Sequence, residues 1–123
     1  MRIEFPQELL QICTIDDSKY PEHPHAGYEV RISRRALKHY VEARKNELMK
    51  HHSQEDALKI IYLGLEKIVE TISSFLTYEY LMPRHLYVKN YPNLIKPLHQ
   101  IIVDEKNDTL EICSIHFKRN RNQ

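Results

Sequence analysis

The sequence predicts an α+β fold in which N-terminal helices pack on a C-terminal antiparallel β-sheet. Two observations carry this. Between Leu58 and Leu76, apolar residues recur at three- and four-residue steps, which is the helical period. Near the end, two runs, His99 to Val103 and Thr109 to Lys118, flank a polar turn from Asp104 to Asp108, the pattern of paired strands. The chain has 123 residues, the length of one domain (1–123) with a core of its own.

Phe5 to Cys13 is expected to form a short helix with Pro6 near its start. Residues 14–27, with two prolines and a glycine, read as a loop. Tyr28 to Ile32 alternates apolar and charged residues, the period of a half-buried strand. Ser33 is then placed to cap a helix from Arg34 to Lys50, which sends Leu37, Tyr40, Val41 and Leu48 inward and leaves His39 at the stripe edge. Ser53-Gln54-Glu55-Asp56 carries a second capping pattern. The stripe that follows is broad, with Ile60, Leu63, Val69 and Leu76 widening it, so this helix should be buried against a sheet. Tyr78 to Val88 is interrupted by Pro83 and reads as an irregular or edge strand, and Asn90 to Asn93 as a turn. The tail, residues 119–123, has nothing to bury and should fray.

The composition is 41% hydrophobic and 28% charged, with a net charge of +1. That is the balance of a folded protein and excludes a general polycation, so any attraction to phosphate must be local. Cys13 and Cys113 lack zinc-knuckle or redox spacing and read as buried thiols. MRIEFPQELL holds no apolar run of signal-peptide length, and no segment approaches the roughly 18 apolar residues of a membrane span. The expectation is a cytoplasmic protein without a membrane partner. With only two glycines, a phosphate-cradling loop is excluded.

A hairpin centred between Lys106 and Asn107 would set Val103 opposite Leu110, Ile101 opposite Ile112 and His99 opposite Ser114. His99, Ser114, His116 and Lys118 would then share a polar face, while a change of apolar parity between Ile112 and Cys113 marks a bulge. Two histidines, a hydroxyl and a lysine suit RNA cleavage by proton transfer: one imidazole takes the ribose 2′ proton, another group protonates the leaving oxygen, and a cation offsets the phosphorane charge. Pro21-Glu22-His23-Pro24-His25 offers two alternating histidines, but no third and fourth ligand at zinc spacing, so no metal is expected. Tyr78, Tyr80, Tyr87 and Tyr91 lie near Arg84, His85 and Lys89; this interleaving suits base stacking, a partner surface or a solvated sheet edge.

Ile32 to Arg44 (ISRRALKHYVEAR) resembles the strand end and helix of the barnase, EndoU, colicin and RelE-like superfamily of small metal-independent ribonucleases. Ile101 to Arg119 (IIVDEKNDTLEICSIHFKR) is similar to its final hairpin. The resemblance implies an RNase or toxin-like domain that needs no cofactor, with Lys38, His39 and the polar residues of the last strand near the cleft. The chain departs from that pattern in its long helical middle and in having no Ser/Thr followed by Arg on the final strand. The resulting expectation has His39, His116, His99 and Ser114 as catalytic groups, and Arg35, Lys38, Lys118 and Arg119 as RNA contacts. The alternative is a non-catalytic immunity- or antitoxin-like domain, or a mobile-element adaptor, whose broad helix and tyrosine edge meet a protein partner or a second copy.

Overall fold

The computed structural model describes residues 11–119. The strands are β1 (Gln11–Thr14), β2 (Glu29–Arg31), β3 (Thr77–Leu81), β4 (Arg84–Asn90), β5 (Leu98–Lys106) and β6 (Thr109–Lys118), and the helices are α1 (Arg34–Leu48), α2 (Gln54–Glu66) and α3 (Ile68–Ser73). All six strands join one sheet in the order β1-β2-β6-β5-β4-β3. Every neighbouring pair is antiparallel except β2 and β6, which run parallel. The α+β class is therefore observed, in a mostly antiparallel sheet that also takes in two strands preceding the helices. The helix expected over Phe5 to Cys13 ends in strand β1, and the rest of it lies outside the described residues, as do residues 120–123 of the expected frayed tail.

Both serine caps form. The Ser33 hydroxyl accepts from the Ala36 N–H at 3.0 Å, and the Ser53 hydroxyl from the Asp56 N–H at 3.2 Å; each satisfies a first-turn donor that has no intrahelical acceptor. α1 buries Leu37, Tyr40 and Val41. The long helix expected after Ser53 is instead two helices, interrupted at Lys67. Hydrogen bonds continue through the break, from Lys67 N–H to Leu63 and from Thr71 N–H to Lys67, so the two helices follow on without a loop between them. α2 packs on α1 and β6 while α3 reaches β4 and β5, so the broad apolar stripe serves different neighbours along its length.

Pro83 lies in the short turn between β3 and β4, making a hairpin of the stretch expected to be one irregular strand; β3 is the sheet edge. The β5–β6 turn is Asn107-Asp108, both at positive φ (48° and 58°), the two-residue geometry whose twist matches paired strands. It sits one residue later than expected. A register shift leaves Cys113 unpaired between Ile112 and Ser114, where the change of parity pointed to a bulge. His99 consequently faces Phe117, and Val103 faces Ile112.

Tyr87, Ile101 and Ile115 lie abreast across three strands, as do His85, Val103 and Ile112. With Val30, Leu110, Ile15, Leu37, Ile61, Ile68 and Ile72, the apolar members of these rows form the core between sheet and helices. Cys13 and Cys113 are free and only half-buried. Among the described residues, no helix is long and apolar enough to cross a membrane.

Candidate functional site

The loop joining β1 to β2 crosses the core face of the sheet and is pinned there by its own histidine. His23 Nε2 lies 2.7 Å from the Ile72 carbonyl of α3, and a carbonyl can only accept, so that nitrogen carries the proton. Nδ1 is then free to accept the His25 N–H, as it does at 2.9 Å. Gly27 adopts φ +83°, a conformation side chains disfavour, and its N–H donates to the Ile15 carbonyl at 2.7 Å. These bonds turn the loop so that His25 points into the protein and Tyr28 enters β2.

His25 meets two strands there. Its Nδ1 is 2.5 Å from the Tyr87 hydroxyl, and its Nε2 is 3.8 Å from Glu105 Oε2. From β4, His85 places Nε2 3.2 Å from the same oxygen and Nδ1 2.6 Å from the Tyr78 hydroxyl. Tyr28 donates its hydroxyl to the other carboxylate oxygen, Oε1, at 2.7 Å. Both imidazoles thus have Nδ1 held by a tyrosine and Nε2 directed at one carboxylate. His25 and His85 are 3% and 6% exposed, whereas the Glu105 side chain is 39% exposed and forms the mouth of the cluster, with exposed Tyr80 tilted against the His85 ring.

Desolvation lowers the His25 pKa to about 4, helped by the neighbouring His85 and opposed by Glu105, so His25 is neutral at pH 7. The Tyr28 hydroxyl, with smaller help from His25 and His85, pulls the Glu105 carboxyl below its ordinary range. Burial raises Tyr78, and the charge of Glu105 adds to this, keeping it a protonated phenol. The cluster therefore combines a carboxylate, a neutral imidazole at His25, the His85 ring and phenolic protons within 4 Å of their neighbours.

The residues expected from sequence to form the site do not share a surface. His39 is exposed on α1, about 200° around the helix from buried Leu37. His99 is fully buried, with Nδ1 on the Thr71 hydroxyl at 2.6 Å. Because the bulge shifts the register, Ser114 and His116 pair with Ile102 and Gln100, on the face opposite His99. The shared polar face of His99, Ser114, His116 and Lys118 is thus not formed. Arg35, Lys38, Lys118 and Arg119 are exposed, and Lys38 makes a long ion pair with Glu42 at 4.0 Å. The residues missed were Glu105, taken as a turn residue, and His85, noted only among tyrosines. The third ligand whose absence argued against a metal at His25 is supplied across space. One signal was present: a loop this long without secondary structure is commonly functional, and this one contains His23-Pro24-His25.

Comparison of the chain with known protein families, with curated proteins and with solved structures finds no match.

Proposed function

We propose that this protein is an acid–base enzyme of the metal-independent ribonuclease type, with its reaction centre at Tyr78, His85 and Glu105. The supporting observation is the relay itself: Tyr78 hydroxyl to His85 Nδ1 at 2.6 Å, and His85 Nε2 to Glu105 at 3.2 Å. This is the order of reacting hydroxyl, base and orienting carboxylate that proton-transfer catalysis requires. As a ribose 2′ oxygen attacks phosphorus, the Tyr78 oxygen takes its proton and passes its own to His85, whose imidazolium Glu105 stabilises. The new bond is 2′-O–P and the broken bond is P–5′-O. Tyr28, on the other carboxylate oxygen, supplies the proton to the leaving 5′ oxygen.

RNA as substrate is supported by the tyrosines at the mouth, Tyr28, Tyr78 and Tyr80, which suit base stacking, and by the exposed Arg31, Arg35 and Lys38 that follow Tyr28 along the chain. His39, His99, His116 and Ser114 have no part in this reaction. Labelled RNA incubated in EDTA is expected to be cleaved by the wild type and at least about 100-fold more slowly by Tyr78→Phe and His85→Gln. Equal persistence of RNA with all three proteins would sink the proposal.

A second reading, a non-catalytic interaction domain, is favoured by one surface. Tyr80, Leu81 and Met82, exposed by 57%, 41% and 82%, cluster at the tip of edge strand β3, where open backbone groups and apolar side chains suit a protein partner. Inactive wild type together with loss of partner capture in Leu81→Lys would select it.

A further inference from the structure

The geometry points to a binding site for a first-row transition dication, held by His25 Nε2, His85 Nε2 and Glu105. The ligand atoms of these residues all lie within 4.8 Å of one another. A metal bound at about 2.0–2.2 Å to three such atoms holds them roughly 3–3.6 Å apart. The Nε2–Oε2 separations are 3.8 Å from His25 and 3.2 Å from His85, so each nitrogen already stands within well under 1 Å of its ligating distance from the carboxylate oxygen.

Three features make this more than a chance meeting of polar groups. The ligands come from a pinned loop, β4 and β5, and both imidazoles are buried, so their positions are set before an ion arrives. The imidazole planes stand at 83° with centroids 4.4 Å apart, bringing the two Nε2 atoms in from different directions. Each Nδ1 contacts a tyrosine hydroxyl, Tyr87 for His25 and Tyr78 for His85. A ligating histidine needs an outer partner for its other nitrogen. A hydroxyl, unlike a carbonyl, either donates to Nδ1 when Nε2 carries the proton or accepts from Nδ1–H when Nε2 binds metal.

The two-nitrogen, one-carboxylate set selects the ion class. Imidazole favours zinc, cobalt, nickel, copper or iron over magnesium and calcium, which take oxygen donors. The Glu105 carboxylate stands at the opening, and Asp108 acts on the neighbouring Tyr28, so an incoming cation meets carboxylate charge there. Three protein ligands leave further coordination positions for water on the exposed side of Glu105.

Metal on His85 Nε2 removes the N–H that the Tyr78–His85–Glu105 relay uses, so a bound ion switches the relay off. The binding does not depend on the proposed reaction; only this inhibition rests on it. Full-length protein freed of metal by dialysis against EDTA is titrated with Zn²⁺ and with Co²⁺ by calorimetry, with cobalt absorption as a second readout. One ion per chain is expected, at micromolar or tighter affinity, undiminished by millimolar Mg²⁺. Affinity should fall at least 100-fold in Glu105→Gln, whose exposed position leaves folding intact by circular dichroism, and about 10-fold in Tyr87→Phe. Unchanged affinity in Glu105→Gln, or no stoichiometric binding to wild type, overturns the site; the former would assign the metal to surface histidines such as His51 and His52. If binding holds but Zn²⁺ fails to slow RNA cleavage, the relay fails and the metal site stands.

Discussion

His99 and His25 are both buried histidines whose pKa desolvation lowers to about 4, yet their surroundings assign them different roles. His99 is walled in by Phe117 and Tyr91, shares the Thr71 hydroxyl with Tyr91, and turns Nε2 toward the Gly64 carbonyl without a well-formed hydrogen bond. Nearby Lys67 further opposes protonation, and among the described residues no carboxylate pairs with the ring. A histidine with a folded pKa below its unfolded value near 6.5 stabilises the fold fully above that value, and the contribution falls as pH drops from 6.5 toward 4. Urea unfolding at a series of pH values should therefore show roughly 2 to 3 kcal/mol lost over that range on account of His99. In His99→Gln, which retains a polar partner for Thr71, this part of the slope should vanish; an unaltered slope would remove His99 as its source.

At the scale of elements, the joint between α1, α2 and β6 depends on the absence of one side chain. The Tyr40 hydroxyl donates to the Ile61 carbonyl at 3.1 Å, and this places it where a Cβ on Gly64 would collide with it and press on Phe117. Gly64 costs helix propensity but permits the close approach. Gly64→Ala is expected to destabilise by about 1–3 kcal/mol, as overpacking does. Tyr40→Phe removes the colliding atom and one hydrogen bond, so the double variant should be less destabilised than the two single variants summed, a coupling readable from chemical denaturation. Strict additivity would mean that the hydroxyl is not what Gly64 accommodates. The two serine caps were legible in sequence because capping is local. The interruption at Lys67 was not, because apolar periodicity alone does not distinguish one long helix from two segments that meet different neighbours.

Across the whole molecule, β6 has β5 antiparallel on one side and β2 parallel on the other, so β2, which precedes all the helices, sits inside the sheet beside the last strand. The edge positions fall to β1 and β3. Amide exchange should be slowest in Ile101 and Val103 of β5 and Leu110 of β6, which have paired strands on both sides, and fast at alternate residues of β3, where one side of the ladder is open. Comparable protection in β3 and β5 in dilute solution would indicate that the β3 edge is covered by a second copy. The same topology builds the candidate site. The loop from β1 crosses the sheet to reach β4, which brings together residues as distant in sequence as His25, His85 and Glu105.

The sequence by itself determined what depends on near neighbours: the α+β class, the capped starts of α1 and α2, the β5–β6 hairpin and the bulge at Cys113. Side-chain period and capping are properties of a few consecutive residues and need no tertiary partner. Only the tertiary structure decided the hairpin register, in which the displaced turn moved each partner by two residues and the bulge, by shifting one more, carried His99 to the opposite face from Ser114 and His116. It alone decided that His25, His85 and Glu105 converge, because their meeting depends on strand order and loop crossing, which no local pattern encodes.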